Sequence, residues 1–406
     1  MAERPARFRD VFAVGEFRVL WLAQAFSVAG DQLAAVGLAV RVYDRTGSPA
    51  WTALTYAMTF LPDLAGGALL AGLADRFPRR RVMVTADLVR AALVGVMAIP
   101  GQPILSLIAL VIGVQLLSAP FLAARSAMLP QVLSGDLFVA SVAITRMTVQ
   151  FGQLIGFGAG AAVVACLGTS TALLVDAGTF VVSAALVLLG ARPHAPSAAP
   201  SDQPRGWWAG IRAGFGLVAA DRRLRSLVGL ACVCGAFVVP EGLAAPYAAQ
   251  IHAGTQAVGW LMAASPGGMV VGMLVLQRLP APVRLRLLGP LAAASCVALL
   301  PTGIGPPLAG ALALWFTSGL ASAYNMVTNA AFIQAVPDHS RAQAIGLAQA
   351  ALRVAQGIGI VGAGLLAQVL EPGAVITVIA AAGVPLALAM AAAWSRAADP
   401  ASASRA

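Results

Sequence analysis

The sequence contains no lysine, so arginine supplies all 26 of its basic residues. Charged residues make up only 10% of the 406 residues, whereas a soluble domain has about 25%. Hydrophobic residues make up 59%. This composition excludes an ordinary soluble domain and predicts a polytopic membrane protein. A spanning helix needs about 20 residues, so twelve such helices with short loops and one longer linker would occupy the whole length.

The sequence has no lysine and few cysteines, and it lacks the motifs of nucleotide, zinc and redox sites. A chain without lysine has no P-loop lysine, and no HExxH zinc motif occurs. The four cysteines all fall in apolar segments, and Cys232 and Cys234 are two apart, which is not the spacing of a zinc or redox pair. We find neither a nucleophile with a base nor a set of metal ligands. We therefore expect no enzyme activity and no cofactor.

The placement of the arginines argues against nucleic acid as a partner, although the net charge is +10. The arginines cluster in short loops between apolar runs, and such basic loops are typical of the cytoplasmic side of a membrane. With the amino terminus inside, twenty arginines fall on the cytoplasmic side and only Arg41 and Arg45 on the outer side. We predict a multi-pass protein of the cell inner (plasma) membrane, in contact with lipid, with both termini in the cytoplasm.

The apolar runs predict an all-α fold of twelve transmembrane helices in two six-helix halves. The first run lacks a small-residue cleavage site, so we expect it to remain as a helix. A long linker at 191–224 separates the halves 1–190 and 225–406, and the pattern around Trp207 and Trp208 indicates an amphipathic helix on the inner membrane face. The predicted helices are 17–41, 51–72, 82–99, 104–124, 141–166, 170–190, 225–247, 256–277, 286–303, 306–333, 342–369 and 373–394.

The loop after the second helix, A-G-L-A-D-R-F-P-R-R-R at 71–81, resembles the signature loop of the major facilitator superfamily, G-x-L-A-D-R-x-G-R-R/K. Ala71 and Pro78 stand where that pattern has glycine. The resemblance implies a cytoplasmic gate, in which Asp75 meets Arg125 and the amino end of the eleventh helix. The matching residues are Leu73, Ala74, Asp75, Arg76, Arg79 and Arg80.

Other stretches are similar to one branch of that superfamily, the macrolide-efflux and enterobactin-exporter-like proteins. This resemblance implies a monomeric secondary exporter of a small lipophilic or amphiphilic compound (a drug, secondary metabolite or siderophore-like molecule), coupled to protons and working by alternating access. The fifth helix departs from the G-P-x-x-G-G pattern of drug/proton antiporters, since Gly156-Phe157-Gly158 lacks the proline. A membrane protein that binds a ligand or partner without transport, and an uptake carrier, are the alternatives. The similar stretches are 17–31, 42–48, 87–91, 123–130, 175–180 and 336–344.

Four acids lie towards the membrane centre in the predicted spans, where a charged side chain costs about 2.5–3.5 kcal/mol and usually faces a cavity or a partner. Asp31 is the strongest candidate, because Gln24, Ser27 and Asp31 share one helical face. A carboxyl group in a partly dry cavity can bind and release a proton near neutral pH. The alternative is a hydrogen bond that only packs the bundle. The other three acids are Asp63, Asp176 and Glu241.

Polar residues recur at matching positions of the fifth and eleventh helices, and a polar stripe runs along the tenth. We expect them to line a cavity. For the arginines, the alternative is a side chain that reaches the lipid headgroups. For the stripe, it is hydrogen bonding to a neighbouring helix. The residues are Arg146, Gln150 and Gln153, then Gln349, Arg353 and Gln356 at the same spacing, and finally Asn325 and Asn329, in line with Ser318 and Ser322.

The arginine distribution gives a testable topology. A cysteine introduced at Ser201 should react with an impermeant thiol reagent only after the cells are opened, because the linker is expected in the cytoplasm. Labelling of Ser201→Cys in intact cells would show that the orientation is reversed.

Overall fold

The fold comes from a computed structural model of the chain, which describes residues 8–70, 73–192, 207–337 and 340–398. In these ranges the chain forms helices and no β-strand. Residues 193–206 of the predicted linker, and Ala71 of the signature loop, lie outside the described residues. The side chain of Asp75 does so too, and the gate expected around it stays a prediction.

Seven segments of the described chain are long and apolar enough to cross a membrane. Of the other predicted spans, the third is the single helix Arg79–Ala98, and the rest consist of shorter consecutive helices. A 3-10 turn at Leu300–Ile304 follows α16. The helices are α1 (Phe8–Ala13), α2 (Gly15–Thr46), α3 (Pro49–Ala57), α4 (Pro62–Leu70), α5 (Leu73–Arg76), α6 (Arg79–Ala98), α7 (Ile104–Val132), α8 (Gly135–Gly190), α9 (Trp207–Ala220), α10 (Arg222–Cys232), α11 (Cys234–Phe237), α12 (Val239–Gly242), α13 (Ala244–Gln250), α14 (Gly254–Gln277), α15 (Ala281–Arg286), α16 (Leu288–Val297), α17 (Leu308–Ser322), α18 (Tyr324–Ala335), α19 (Arg341–Leu366) and α20 (Pro372–Ala398).

Each predicted span is occupied by helix, but the predicted continuity of four spans is wrong, the ninth because α16 ends at Val297 before the 3-10 turn. The second span is interrupted at 58–61, between α3 and α4. The seventh is divided into α10 to α13, and the tenth is divided at Ala323. Proline accounts for part of this, since it removes a backbone donor: Pro62 opens α4 and Pro240 lies in α12. A hydropathy pattern predicts where a span begins and ends, but it does not predict where the backbone hydrogen bonds of the helix are interrupted.

The fifth and sixth spans lie in one 56-residue run, α8, whereas the sequence predicted two helices at 141–166 and 170–190. The run is divided at Gly168, which has φ 82° and ψ 169°. Glycine adopts this conformation without the steric cost of a Cβ. We therefore describe α8 as two arms, 135–167 and 169–190.

The chain forms two compact units. Unit 1 contains Met1–Val42 and Met58–Pro200, and unit 2 contains Tyr43–Ala57 and Ser201–Ala406. Helix α3 is thus part of unit 2, where it packs against α19. The domain boundaries predicted at 190 and 225 stay predictions.

Each unit has its own apolar core. In unit 1, one cluster surrounds Phe17 and Met83, and a second includes Leu107 and Phe180. In unit 2, a large cluster surrounds Tyr324, whose hydroxyl donates to the carbonyl of Leu230 at 2.8 Å. The apolar cores fill the interior of each unit, so the few buried charges stand out as exceptions.

Close contact between α2 and the first arm of α8 depends on glycine. Two successive G-x-x-x-G steps, at Gly152, Gly156 and Gly160, predict close helix packing, and the structure confirms it. A Cβ built on Gly156 would lie 2.5 Å from the carbonyl oxygen of Ala29. The backbones of the two helices therefore approach within a distance that a larger residue would prevent.

Helix α9 forms where the sequence predicted an amphipathic helix in the linker. It packs against α19, and a Cβ on Gly214 would lie 2.8 Å from the carbonyl oxygen of Gln343. Phe215 on the same helix is 65% exposed. This division into a packed and an open face suits a helix at a membrane surface, and its place at the inner face stays a prediction.

The glycine contact can be tested by adding a single methyl group. Gly156→Ala should lower the free energy of unfolding by about 1–3 kcal/mol, the usual range for overpacking, and it should lower the melting temperature in detergent. Gly178→Ala is the matched control, because Gly178 lies on α8 and a Cβ there would meet nothing within 4 Å. Equal melting temperatures for the two variants would contradict the proposed contact.

Candidate functional site

Unit 1 contains a cluster of charged residues in the interior of its helices. Asp31 comes from α2, Asp87 and Arg90 from α6, and Asp176 from the second arm of α8. The side chains of Arg90 and Asp87 are 2% and 0% exposed, whereas that of Asp31 is 23% exposed. Asp176 is also buried. Charged groups inside a membrane protein pair with one another or face a water-filled cavity, which makes this cluster the main candidate site.

The guanidinium group of Arg90 is the centre of the cluster. Its Nη2 donates to both carboxylate oxygens of Asp31, at 3.2 Å each. Its Nη1 lies 3.5 Å from Oδ1 of Asp87 and 3.4 Å from the hydroxyl oxygen of Ser27. The Arg90 Cζ also lies 4.0 Å from the centroid of the Phe180 ring, within the range of a cation–π interaction. Groups from three helices thus hold one cation.

The two buried acids differ in their partners. Asp87 accepts a hydrogen bond of 2.5 Å from the hydroxyl of Ser183, in addition to its contact with Arg90. The hydroxyl of Thr179 lies 3.3 Å from Oδ1 of Asp176, but it also donates to the Asp176 carbonyl at 2.7 Å. Asp176 lies directly against Gly30 of α2, where a Cβ would collide with its Oδ1. Ser183 and Arg90 therefore stabilise Asp87, and Asp176 has weaker support.

Other residues predicted on this face lie near the cluster. Ser27 contacts Arg90, and Gln24 is buried with its Oε1 unpaired in the part of the chain that the structure describes. Asp63 accepts a hydrogen bond of 2.6 Å from Ser118, and it also interacts electrostatically with Asp31. The face predicted from the spacing of Gln24, Ser27 and Asp31 thus meets α6 at Arg90.

A second polar site lies in unit 2, around Glu241 on α12. The hydroxyl of Tyr56 on α3 donates to Oε2 of Glu241 at 2.6 Å, and Ser265 on α14 provides another hydrogen bond. Arg353 on α19 interacts electrostatically with Tyr56. The predicted residues Glu241 and Arg353 are therefore parts of one polar site.

The remaining predicted cavity residues differ in burial, and only the two serines of the tenth span are fully buried. Arg146 is exposed, which suits an arginine that reaches towards the headgroups. In the tenth span, the hydroxyl of Ser318 donates to the carbonyl of Ser295 on α16 at 2.7 Å, which joins two helices. The hydroxyl of Ser322 donates to the carbonyl of Gly319 in its own helix at 2.7 Å. The half-buried residues are Gln150, Gln153, Asn325, Asn329 and Gln356.

The arginines of the signature loop bind backbone carbonyls. Arg79 is buried and donates to the carbonyl of Ala127 at 2.9 Å, and Arg80 donates to that of Leu188. Arg125 is buried as well, 3.5 Å from the carbonyl of Leu20 and 3.2 Å from the hydroxyl of Thr145.

Two further residues of the predicted gate, Leu73 and Arg76, lie closer to the surface. Leu73 is partly buried, and Arg76 is exposed. Among the predicted gate residues it is Arg79, Arg80 and Arg125 that join α6 and α7 to neighbouring helices.

Comparison with known proteins identifies the family. The sequence model described as the Major Facilitator Superfamily matches residues 20–319. The chain belongs to this superfamily. The multidrug efflux pump Tap of Mycobacterium tuberculosis (strain ATCC 25618 / H37Rv), and that of Mycobacterium bovis (strain BCG / Pasteur 1173P2), are each 30% identical to it over 278 residues. Each match covers 63% of this chain and 64% of the relative, so less than two thirds of either relative is spanned.

Solved structures share the fold at lower sequence identity. A bacterial homolog of the human lysosomal transporter Spinster, in an inward-facing and unoccupied conformation, has a TM-score of 0.68 and 16% identity, with 97% of this chain and 96% of that chain covered. The nucleoside transporter NupG has a TM-score of 0.70 and 16% identity, with 93% and 99% covered. These structures show the twelve-helix fold, and membership of the superfamily makes the chain a multi-pass membrane transporter and not an enzyme. The family and the fold predicted from the sequence are confirmed.

Sequence reasoning missed Asp87, Arg90 and Tyr56 as site residues. An acid and an arginine three positions apart inside an apolar span share a helical face, and this signal was present in D-L-V-R-A at 87–91. Tyr56 gave no comparable signal, because its partner Glu241 is 185 residues away in the sequence.

Removing the central cation should destabilise unit 1. Arg90→Met leaves the buried carboxylate of Asp87 and the partly buried one of Asp31 without a counter-ion, and breaking a buried pair from one side typically costs about 3–5 kcal/mol. Arg81→Met, at an exposed position on the same helix, should change stability by about 0.5 kcal/mol or less. Melting curves in detergent measure both, and a normal melting temperature for Arg90→Met would mean that the pair is not structurally required.

Proposed function

We propose that this transporter exports a small lipophilic or amphiphilic compound and couples export to the uptake of protons. The similarity to a multidrug efflux pump supports export. The Arg90-centred cluster carries the proposal of coupling, because carboxyl groups inside a membrane protein are typical of proton relays. The partial exposure of Asp31 supports access of protons to the cluster.

A proton that enters the cluster would change the charge around Arg90. Neutralising one carboxylate changes how the positive charge of the guanidinium group is shared among the remaining acids, and in a medium of low dielectric constant that change is larger than in water. When the free energies of two conformations differ by only a few kcal/mol, such a change in electrostatic energy can alter their populations. Proton binding can therefore shift the balance between the two access states.

The proposed surface for the substrate consists of half-buried polar residues in otherwise apolar spans. A few polar groups in an apolar lining are typical of sites for drug-sized ligands. Glu241, with its tyrosine and serine partners, is the charged residue of this surface in unit 2. The other proposed members are Gln150, Gln153, Asn325, Asn329, Arg353 and Gln356.

The orientation and the gate belong to the same proposal. With its arginine-rich loops in the cytoplasm, the transporter would lie in the inner membrane as a monomer with both termini inside. Asp75 and Arg125 would then act at the cytoplasmic end, where the resemblance implies a gate.

An uptake carrier is the second candidate, since the fold is shared with a nucleoside transporter. A membrane protein that only binds its ligand is the third. Direction of transport separates the first two, and the presence of any flux separates both from the third.

The test is transport of a fluorescent amphiphilic cation, such as ethidium, in proteoliposomes of defined orientation with an imposed pH gradient. We expect the dye to move against the proton flow, from the face that carries the termini to the opposite face. We expect Asp31→Asn to stay folded in the membrane and to reduce pH-driven transport to the level of empty vesicles. Asp136→Asn, at an exposed position on α8, should transport normally.

Each contrary result has its own meaning. Movement in the same direction as the protons would favour the uptake carrier. Saturable binding without flux of any substrate tested would favour the binding protein. Full pH-driven transport by Asp31→Asn would exclude this carboxylate from coupling.

A further inference from the structure

The cluster in unit 1 has more acids than cations. Asp31 on α2, together with Asp87 on α6 and Asp176 on α8, surrounds the single cation Arg90, and Asp63 on α4 adds its own charge near Asp31. If the first three acids were all ionised, one guanidinium group would have to compensate three carboxylates. In a membrane interior such an excess is removed by protonation of the carboxylate with the poorest stabilisation.

The contacts single out that carboxylate. Asp31 receives two hydrogen bonds from Arg90 and is 23% exposed, so it has both a counter-ion and access to water. Asp87 receives a short hydrogen bond from Ser183 and lies 3.5 Å from Arg90. Asp176 is 1% exposed and forms no ion pair within the described residues. An ionised carboxylate without a counter-ion is costly to bury.

We propose that Asp176 carries the exchangeable proton of unit 1, and that Asp31 stays ionised as the partner of Arg90. The protonation of Asp176 is a property of the cluster alone, whereas its role in coupling rests on the proposed function. When the proton leaves an oxygen of Asp176 for water, a carboxylate remains there and competes with Asp31 for the positive charge of Arg90.

The position of Asp176 links this charge to the packing of α2. Its carboxylate touches α2 at Gly30, which is the neighbour of Asp31 in the chain. A new negative charge at this contact therefore acts directly on the helix that carries Asp31. Proton release from α8 would in this way loosen the contact between α2 and α6.

Infrared spectroscopy of the purified full-length protein tests the protonation without requiring transport. Wild type at neutral pH should show the carbonyl-stretch band of a protonated carboxylic acid. We expect Asp176→Asn to lose one such band, whereas Asp31→Asn and the control Asp136→Asn should keep it. Loss of the band in Asp31→Asn with retention in Asp176→Asn would overturn the proposal.

A milder variant keeps the test decisive if Asp176→Asn does not fold. Thr179→Val removes the hydroxyl next to Asp176 and keeps the shape of the side chain. The band of a protonated Asp176 should shift in this variant. An unshifted band would mean that another carboxyl group holds the proton.

Stability and transport separate the roles of the two acids. Asp176→Asn imitates the neutral acid, so its melting temperature should match that of wild type, and its pH-driven dye transport should be lost while downhill exchange remains. Asp31→Asn should melt at a lower temperature, since Arg90 loses its charged partner. If wild type transports nothing, the proposed function fails while the infrared assignment stands. If Asp176→Asn keeps full pH-driven transport, the coupling role of Asp176 fails alone.

Discussion

A guanidinium group that is removed from water must be compensated at the place where it is buried, and in unit 1 that group is Arg90. Its compensation comes from α2, α6 and the second arm of α8. A buried ion pair often contributes no net stability, because the loss of hydration can exceed the Coulombic attraction. A chain that is only 10% charged nevertheless places four charged residues together here, which is easier to understand as a requirement of function than of folding.

The cluster depends on close backbone packing, which glycine permits. Gly156 allows α8 to approach Ala29, and Gly30 gives Asp176 the space that a Cβ would fill. Small residues at helix contacts are typical of membrane proteins, because in lipid there is no hydrophobic driving force for helices to associate. The same approach that packs the helices also brings the carboxylates within reach of one arginine. In this unit, the close packing of the helices and the position of the charged groups therefore depend on the same small residues.

Hydropathy and spacing were sufficient to predict some of this architecture. Twelve spans follow from runs of about 20 apolar residues, and the face of Asp31 follows from helical periodicity. The interruption at 58–61 could not be found this way, because apolar residues occur on both sides of it. The hydrogen-bond partners of Asp31 and Glu241 could not be predicted either, because Arg90 is 59 residues from Asp31 and Tyr56 is 185 residues from Glu241 in the sequence. Periodicity relates residues within one helix and says nothing about which helices meet.

The two units hold their acids in chemically different ways. Arg90 can only donate, so it favours the ionised form of Asp31, and a second ionised carboxylate at Asp176 would compete with Asp31 for its charge. Tyr56 and Ser265 have hydroxyl groups, which can donate to a carboxylate and can also accept from a carboxylic acid. Glu241 can therefore change its protonation and keep its partners, whereas the Arg90 cluster cannot change its charge without a rearrangement. A device that converts protonation into movement requires a partner such as Arg90, whose contacts change with the charge around it, which is why we place coupling in unit 1 and assign Glu241 to the substrate surface.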